Sequence, residues 1–367
     1  MKRTVLVYRI GQLGDTLISL PAIAEIQRRH PIDRLILLTE HYPENLKNVS
    51  SWEVLSHTGW FDEVVYYKPA QTAWQTVLTS VRLIMRLRRI KPDVIYDLAP
   101  ERSPAQIRRD RAFFTHMVGV QEYFGGIPLP KHGKDRNGLL PRIEPEWKRL
   151  LGIVGVANEP VSFRLAIPEM ARSTVADYFA KHGIESNLPL IAIGPGSKMP
   201  SKLWPLDRYR ELGRQLLKAN AEFRLIVLGD DEDARLGELL CRDWGTRAYN
   251  CAGIFSVYES AAALECCKGY VGNDTGTMHL AAMVGTPCVA LFSARDYPGQ
   301  WEPYGPGHIV LRHEIACAGC MLNVCKVRNN ECLKRISVDQ ACAAVQHCFS
   351  GEATRRNSRL ADKSLRR

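Results

Sequence analysis

The chain has 367 residues, 46% of them hydrophobic, and a formal net charge of +10. That length exceeds what one compact domain ordinarily uses, so two domains are expected. No apolar run reaches the roughly 18 residues of a spanning helix, so none is expected, and the charge favours an anionic partner: nucleotide, nucleic acid or acidic membrane surface.

The opening stretch MKRTVLVYRIGQLGD has too short an apolar core for a signal peptide and lacks a small-residue cleavage site, so a cytosolic protein is expected. It reads as a first strand over Thr4–Ile10, then the turn Gly11-Gln12-Leu13-Gly14-Asp15, then a helix from about Thr16 to Arg29, bent or restarted at Pro21. Strands at 35–38, 64–66 and 94–97 alternate with a helix over about 74–89, the pattern of a parallel sheet covered by helices. Within that helix Arg82–Lys91 (RLIMRLRRIK) turns Leu83, Ile84 and Leu87 inward. Its basic face either is solvated or docks on an anionic bilayer. Residues 102–152 are less regular, and a linker is expected near 157–168.

The second half restarts the pattern. A strand at 190–193 leads into the turn Gly194-Pro195-Gly196-Ser197, a loop over 198–205 and a helix over 206–219. A strand over 223–228 ends in Gly229-Asp230-Asp231-Glu232, and a helix over about 257–267 follows. An apolar run ending in Tyr270-Val271 then opens Gly272–Pro287, GNDTGTMHLAAMVGTP, followed by the apolar Cys288–Phe292. This is strand, polar loop, short helix, strand, with Gly285 and Pro287 as the stop signal. The expected fold is α/β: two doubly wound, Rossmann-like domains, 1–165 and 166–350, facing across a cleft. The tail 351–367 is basic and aperiodic, and is expected to be disordered.

The chemistry-bearing residues lie where the strands end. Neither G-x-G-x-x-G nor G-x-x-x-x-G-K-[ST] occurs, which removes the main support for nicotinamide and P-loop readings. Asp15 is either a helix-cap carboxylate or a general base. Lys202, after the Gly194–Gly196 turn, is either solvated or neutralises a phosphate, with Ser197 and Lys198 as further contacts. Glu232 is a first-turn acid or a ribose ligand. Phe255 packs on a base or in the core. Asp274, Thr275 and Gly276 fall in the loop before the start of a short helix, whose free amides and dipole favour an anion. His279, near that start, is a structural histidine or a neutral donor to a phosphate oxygen.

None of the eleven cysteines precedes Cys241. Cys266, Cys267 and Cys288 lie in apolar runs and are expected to be buried thiols. Cys317, Cys320, Cys325 and Cys332 form C-x2-C-x4-C-x6-C, which either holds a structural zinc or iron or packs as free thiols or a local disulfide. A nucleic-acid binder is disfavoured, because basic and aromatic residues do not interleave.

The Gly11–Asp15 turn with Leu20-Pro21-Ala22, then Lys202-Leu203-Trp204-Pro205, then Gly272–Ala282 resemble, in order, motifs of the family 9 glycosyltransferases, the ADP-heptose:lipopolysaccharide heptosyltransferases. The cysteine cluster resembles one in heptosyltransferase-II-like members. The resemblance implies a GT-B fold and inverting, metal-independent transfer of heptose from ADP-heptose to a lipopolysaccharide core acceptor. It also implies Asp15 as base, Lys202 on the leaving diphosphate, and Asp274, Thr275, Gly276 and His279 on the nucleotide sugar, with Glu232 and Phe255 at the ribose and adenine. Gln12 lengthens the family's usual glycine-aspartate turn, and Thr275 replaces its common serine. A cytoplasmic enzyme, peripheral on an anionic inner membrane, is expected. A different nucleotide sugar or a glycan, capsule or protein acceptor is the alternative.

Overall fold

The computed structural model describes residues 2–41, 49–68, 73–100, 102–128, 133–156, 161–185 and 187–349; the predicted tail lies outside them. The chain divides into two units, Met1–Lys131 with Glu144–Phe163, and His132–Ile143 with Arg164–Arg367.

In the first unit the elements run β1 (Thr4–Tyr8), α1 (Leu13–Arg29), β2 (Arg34–Glu40), α2 (Ser51–Leu55), β3 (Glu63–Tyr67), α3 (Ala73–Ile90), β4 (Val94–Asp97), α4 (Pro104–Ala112), a π-helical turn Phe113–Val118, β5 (Glu122–Gly125) and α5 (Glu146–Ile153). The sheet is parallel, in the order β3-β2-β1-β4-β5. Strands such as TVLVY and VIYD are apolar nearly throughout because a parallel sheet is covered on both faces. Leu6, Ile36, Leu38, Val65, Ile95 and Leu87 of α3 form the core on one face. Capping boxes start α2 (Ser50 with Glu53) and α4 (Ser103 with Gln106, Pro104 next). The irregular reading of 102–152 thus missed α4, β5 and α5. Pro21 does not restart α1, which runs unbroken from Leu13 to Arg29.

The second unit holds α6 (Glu169–Lys181), β6 (Leu190–Gly194), a 3-10 turn Pro200–Lys202, α7 (Leu206–Ala219), β7 (Arg224–Val227), α8 (Ala234–Trp244), β8 (Ala248–Asn250), α9 (Val257–Glu265), β9 (Gly269–Asn273), α10 (Gly276–Met283), β10 (Cys288–Phe292), β11 (Ile309–Arg312), α11 (Glu331–Lys334) and α12 (Val338–Phe349). Its parallel sheet has the order β11-β10-β9-β6-β7-β8. In both units the winding reverses beside the unit's first strand, between β1 and β4 and between β6 and β9. Open α/β sheets bind ligands at the carboxyl ends of such strand pairs.

Residues 132–143, which the sequence places with the first domain, pack on the second unit instead. The Ile143 amide donates to the Pro298 carbonyl at 2.9 Å, and Arg142 pairs with Glu302. Gly299 permits this approach: its φ is +94°, and a Cβ there would meet the Ile143 carbonyl oxygen at 2.1 Å. Cys267 and Cys288 are buried as expected, but Cys266 is exposed because it caps the end of α9.

Candidate functional site

At the end of β1 the chain inserts Arg9, fully buried. Its guanidinium donates to the Leu98 carbonyl, just past β4, and to the Asp15 carbonyl, and Nη2 lies 3.8 Å from Asp15 Oδ1. Burial pulls Arg9 below the usual guanidinium range, while the charges of Asp15 and Glu146 oppose that pull. Gly11, at φ +116°, leaves room for the carboxylate to fold back; a Cβ there would meet Asp15 Oδ2 at 2.8 Å. Asp15 is not the helix cap. Gln12 caps α1, and its amide donates to Asp15 Oδ2 at 2.9 Å. The result is a partly open carboxylate, oriented by a helix start and a buried cation.

In the second unit the ends of β6, β9 and β10 converge. Lys202 Nζ lies 2.6 Å from Asp274 Oδ2 and 4.0 Å from Asp296 Oδ2. Arg295 Nη1 contacts both Asp296 oxygens, at 2.9 and 2.8 Å. Burial raises the Asp296 carboxyl above its usual range; Lys202 and Arg295 lower it and Asp274 raises it further. Lys202 sits in a short 3-10 turn, and the buried Trp204 behind it donates its backbone N–H to Asn273 Oδ1 at 3.1 Å. Tyr209 of α7 donates to the same oxygen at 3.0 Å, and Asn273 Nδ2 donates to the Pro195 carbonyl at 2.8 Å. One amide therefore ties the β6 turn, the Lys202 turn and α7 to the end of β9.

α10 starts where expected. Thr275 is its extended N-cap and makes no side-chain cap bond, so the first amides of Gly276–Met278 depend on a partner other than that side chain. His279 is buried on this helix, its Nε2 3.9 Å from Asp274 Oδ1. Lys202, Asp274, Thr275, Gly276 and His279 thus come together. Ser197 stands nearby in sequence and accepts the Met199 amide at 3.2 Å, leaving its hydroxyl hydrogen available.

Glu232 is exposed in a short 3-10 turn, its amide donating to Asp230 Oδ1 at 3.0 Å. Its neighbour Asp233 packs against the strand-end glycines Gly196 and Gly229. Burial, with Asp230 and Glu232 beside it, lifts the Asp233 carboxyl to about 6. Phe255 is half-buried, edge-on to Tyr178 with ring centroids 5.0 Å apart, so part of its ring is committed to α6.

Cys317, Cys320, Cys325 and Cys332 line one cavity of about 20 Å³. Among the described residues no group of three or more His, Cys, Asp or Glu is arranged to hold a metal ion. The cysteine loop also braces the Lys202 turn: the Asn323 carbonyl accepts the Ser201 amide at 3.0 Å, and Asn330 Nδ2 donates to the Pro200 carbonyl at 2.7 Å.

Sequence reasoning does not single out Arg9, Asn273 or Asp296. Asp296 was open to discovery, since it lies just past β10 as Asp274 lies past β9. Arg9 and Asn273 act from the interior, and nothing in a single sequence distinguishes a buried arginine or asparagine from a surface one.

A family model described as glycosyltransferase family 9 (heptosyltransferase) matches residues 148–330. The chain is 29% identical over 213 residues to lipopolysaccharide heptosyltransferase 2 of Escherichia coli strain K12; the match covers 50% of this chain and 60% of that protein. It is 23% identical over 338 residues to lipopolysaccharide heptosyltransferase 1 of Pseudomonas aeruginosa, covering 89% of this chain and 88% of that one. The fold is that of the E. coli ADP-heptose lipopolysaccharide heptosyltransferase II structure, with a TM-score of 0.66 at 19% identity, over 96% of this chain and 99% of the other. This is the GT-B fold that the sequence motifs imply. The chain belongs to glycosyltransferase family 9.

Proposed function

We propose that this protein is an inverting glycosyltransferase that moves heptose from ADP-heptose to the inner core of lipopolysaccharide. The observation that carries the reading is the placement of Lys202 beside Asp274 at the start of α10, because a departing diphosphate needs a cation and free amides at one point. Relatives named lipopolysaccharide heptosyltransferases support the sugar and the acceptor.

In this reading Asp15 takes the proton of the acceptor hydroxyl. The hydroxyl oxygen forms a bond to the anomeric carbon of the heptose as the bond from that carbon to the ADP oxygen breaks on the opposite face. The negative charge left on ADP is taken up by Lys202 and the amides of Thr275 and Gly276, so the transfer requires no metal cofactor. Asp274 holds Lys202 in place, and His279 and Ser197 donate to phosphate oxygens. Glu232 meets the ribose and the free part of Phe255 the adenine. The acceptor carries a lipid, so the reaction takes place at the anionic cytoplasmic face of the inner membrane, with the enzyme peripheral to it. No nucleic acid enters the reaction.

A binding screen tests this reading, with ADP-heptose set against ADP-glucose and UDP- and GDP-sugars in titration calorimetry. ADP-heptose should bind most tightly. Preference for a UDP- or GDP-sugar, or no binding of any ADP-sugar, would overturn it.

A further inference from the structure

Helix α3 buries Leu87 and packs Leu83 and Ile90 onto the core of the first unit. An adjoining face stays open and is apolar. Val77 is 57% exposed, Val81 46% and Met85 52%, with Leu78 beside them at 39%. Residues four apart on a helix stack into one stripe, and three apart flank it, so these four side chains form a single band along α3. Arg88 donates to the Met117 carbonyl at 2.8 Å, which brings a fifth exposed apolar side chain, Met117, next to the helix.

The charge on α3 has one sign. The segment AWQTVLTSVRLIMRLRRI contains Arg82, Arg86, Arg88 and Arg89 and no acidic residue. On the helical projection Arg82, Arg86 and Arg89 follow the apolar band on the side away from Leu87. Arg86 reaches Glu63 at 3.5 Å, and Glu63 is also held by Arg34; Arg82 and Arg89 remain exposed. Among the described residues no helix is long and apolar enough to cross a membrane.

We infer that α3 is a membrane-docking helix, which seats Val77, Leu78, Val81 and Met85 among the acyl chains of an anionic phospholipid surface while its arginines meet the headgroup phosphates. An apolar band of this size costs solubility if it serves nothing. A second apolar protein surface would not select arginines and exclude every acidic residue from the helix, whereas an anionic bilayer selects both features. The inference deepens the proposed transfer to a lipid-carried acceptor and rests on that reading for its purpose.

Co-sedimentation with vesicles tests it, using phosphatidylcholine alone or phosphatidylcholine with phosphatidylglycerol. Wild-type protein should bind the anionic vesicles, weaken as salt is raised, and leave the neutral vesicles largely unbound. Val81→Asp/Met85→Asp and Arg82→Glu/Arg89→Glu should each lower the partition coefficient by about tenfold or more. All of these side chains are exposed, so the variants should keep the wild-type melting temperature. Wild-type protein that ignores anionic vesicles, or a Val81→Asp/Met85→Asp variant that binds them like wild type, would overturn the inference. So would a wild-type dimer that this variant converts to monomer without any vesicle binding, which would make the band a self-association face. A water-soluble acceptor lacking acyl chains separates the two readings. Both variants should transfer to it at the wild-type rate, whereas failure of the wild type on every acceptor, with vesicle binding intact, would sink the transfer and spare the docking.

Discussion

The two units solve the same local problem in opposite ways. Each ends its first parallel strand in a glycine-bearing turn at the point where the winding reverses. In the first unit a single carboxylate, Asp15, is backed by a fully buried cation, Arg9, so the negative group is the one left partly open. In the second unit the cation Lys202 lies between two carboxylates, Asp274 and Asp296, with Arg295 closing the set. There the charges are buried and nearly balanced, and a helix start whose N-cap side chain makes no cap bond stands beside them. One end is suited to accept a proton. The other, where Asp274 holds Lys202 beside a helix start, is suited to take negative charge. The comparison shows that a shared topology sets only the address; the sign of the innermost charge sets the task.

The largest effect should come from the first unit. Asp15→Ala should lower kcat by about 10²- to 10⁴-fold, the usual worth of a positioned base, while leaving ADP-sugar affinity nearly unchanged. Calorimetry alongside a transfer assay checks both. Lost binding in a folded variant, or unchanged turnover, would contradict the contrast between the units.

Lys202→Met should act on the other side, lowering kcat/KM by roughly 10²- to 10³-fold as expected for a lost charge donor. It should also lower thermal stability, because Asp274 is left buried without its cation. Asp274→Ala should weaken nucleotide-sugar binding by a smaller factor, about tenfold, since it acts by holding Lys202; equal losses in the two variants would make Asp274 a direct ligand.

A subtler prediction concerns Asp233. Its carboxyl is raised to about 6 in the fold, so burial favours the protonated form. That contribution is fully present below the unfolded value near 4 and is lost as pH rises through about 6. Asp233→Asn should therefore gain stability on wild type between about pH 4 and 7, by up to about 2 kcal/mol after allowing for solvent. Urea unfolding across that range measures the slope, and a variant with the wild-type pH profile would refute the assignment.

The smallest effect is chemical. Burial pushes the Cys325 thiol up, but the backbone amides of Asn330, Arg328 and Val327, with the charge of Lys334, together outweigh it and hold the thiol below the usual range, whereas burial pushes Cys241 and Cys251 up to about 12. Brief iodoacetamide treatment near pH 7 should label Cys325 ahead of both, as mass spectrometry would show.

Much of this was legible in the sequence, for identifiable reasons. Asp15, Lys202 and Asp274 follow apolar runs at glycine turns, and the start of α10 is marked by its threonine and glycine and closed by Gly285 and Pro287. The band on α3 was half legible: its inward residues follow from periodicity, but the exposure of Val77 and Met85 depends on what the neighbouring elements leave uncovered. Arg9 and Asn273 were hidden because their roles are bonds to backbone groups of residues distant in sequence, Leu98 for one and Pro195 for the other. Asp15 looked like a cap because a cap and the third helical residue differ only in where the turn ends, which Gln12 decides.

The strap 132–143 has a consequence for how the protein can be taken apart. The chain passes from the first unit to the second, returns through 144–163, and passes over again, so no single cut yields both units whole. A domain exchange with a relative at one junction near 164 would strip the second unit of the segment bonded to Pro298 and Glu302. Working chimeras need at least two further joints, flanking the strap, because the two units alternate along the chain.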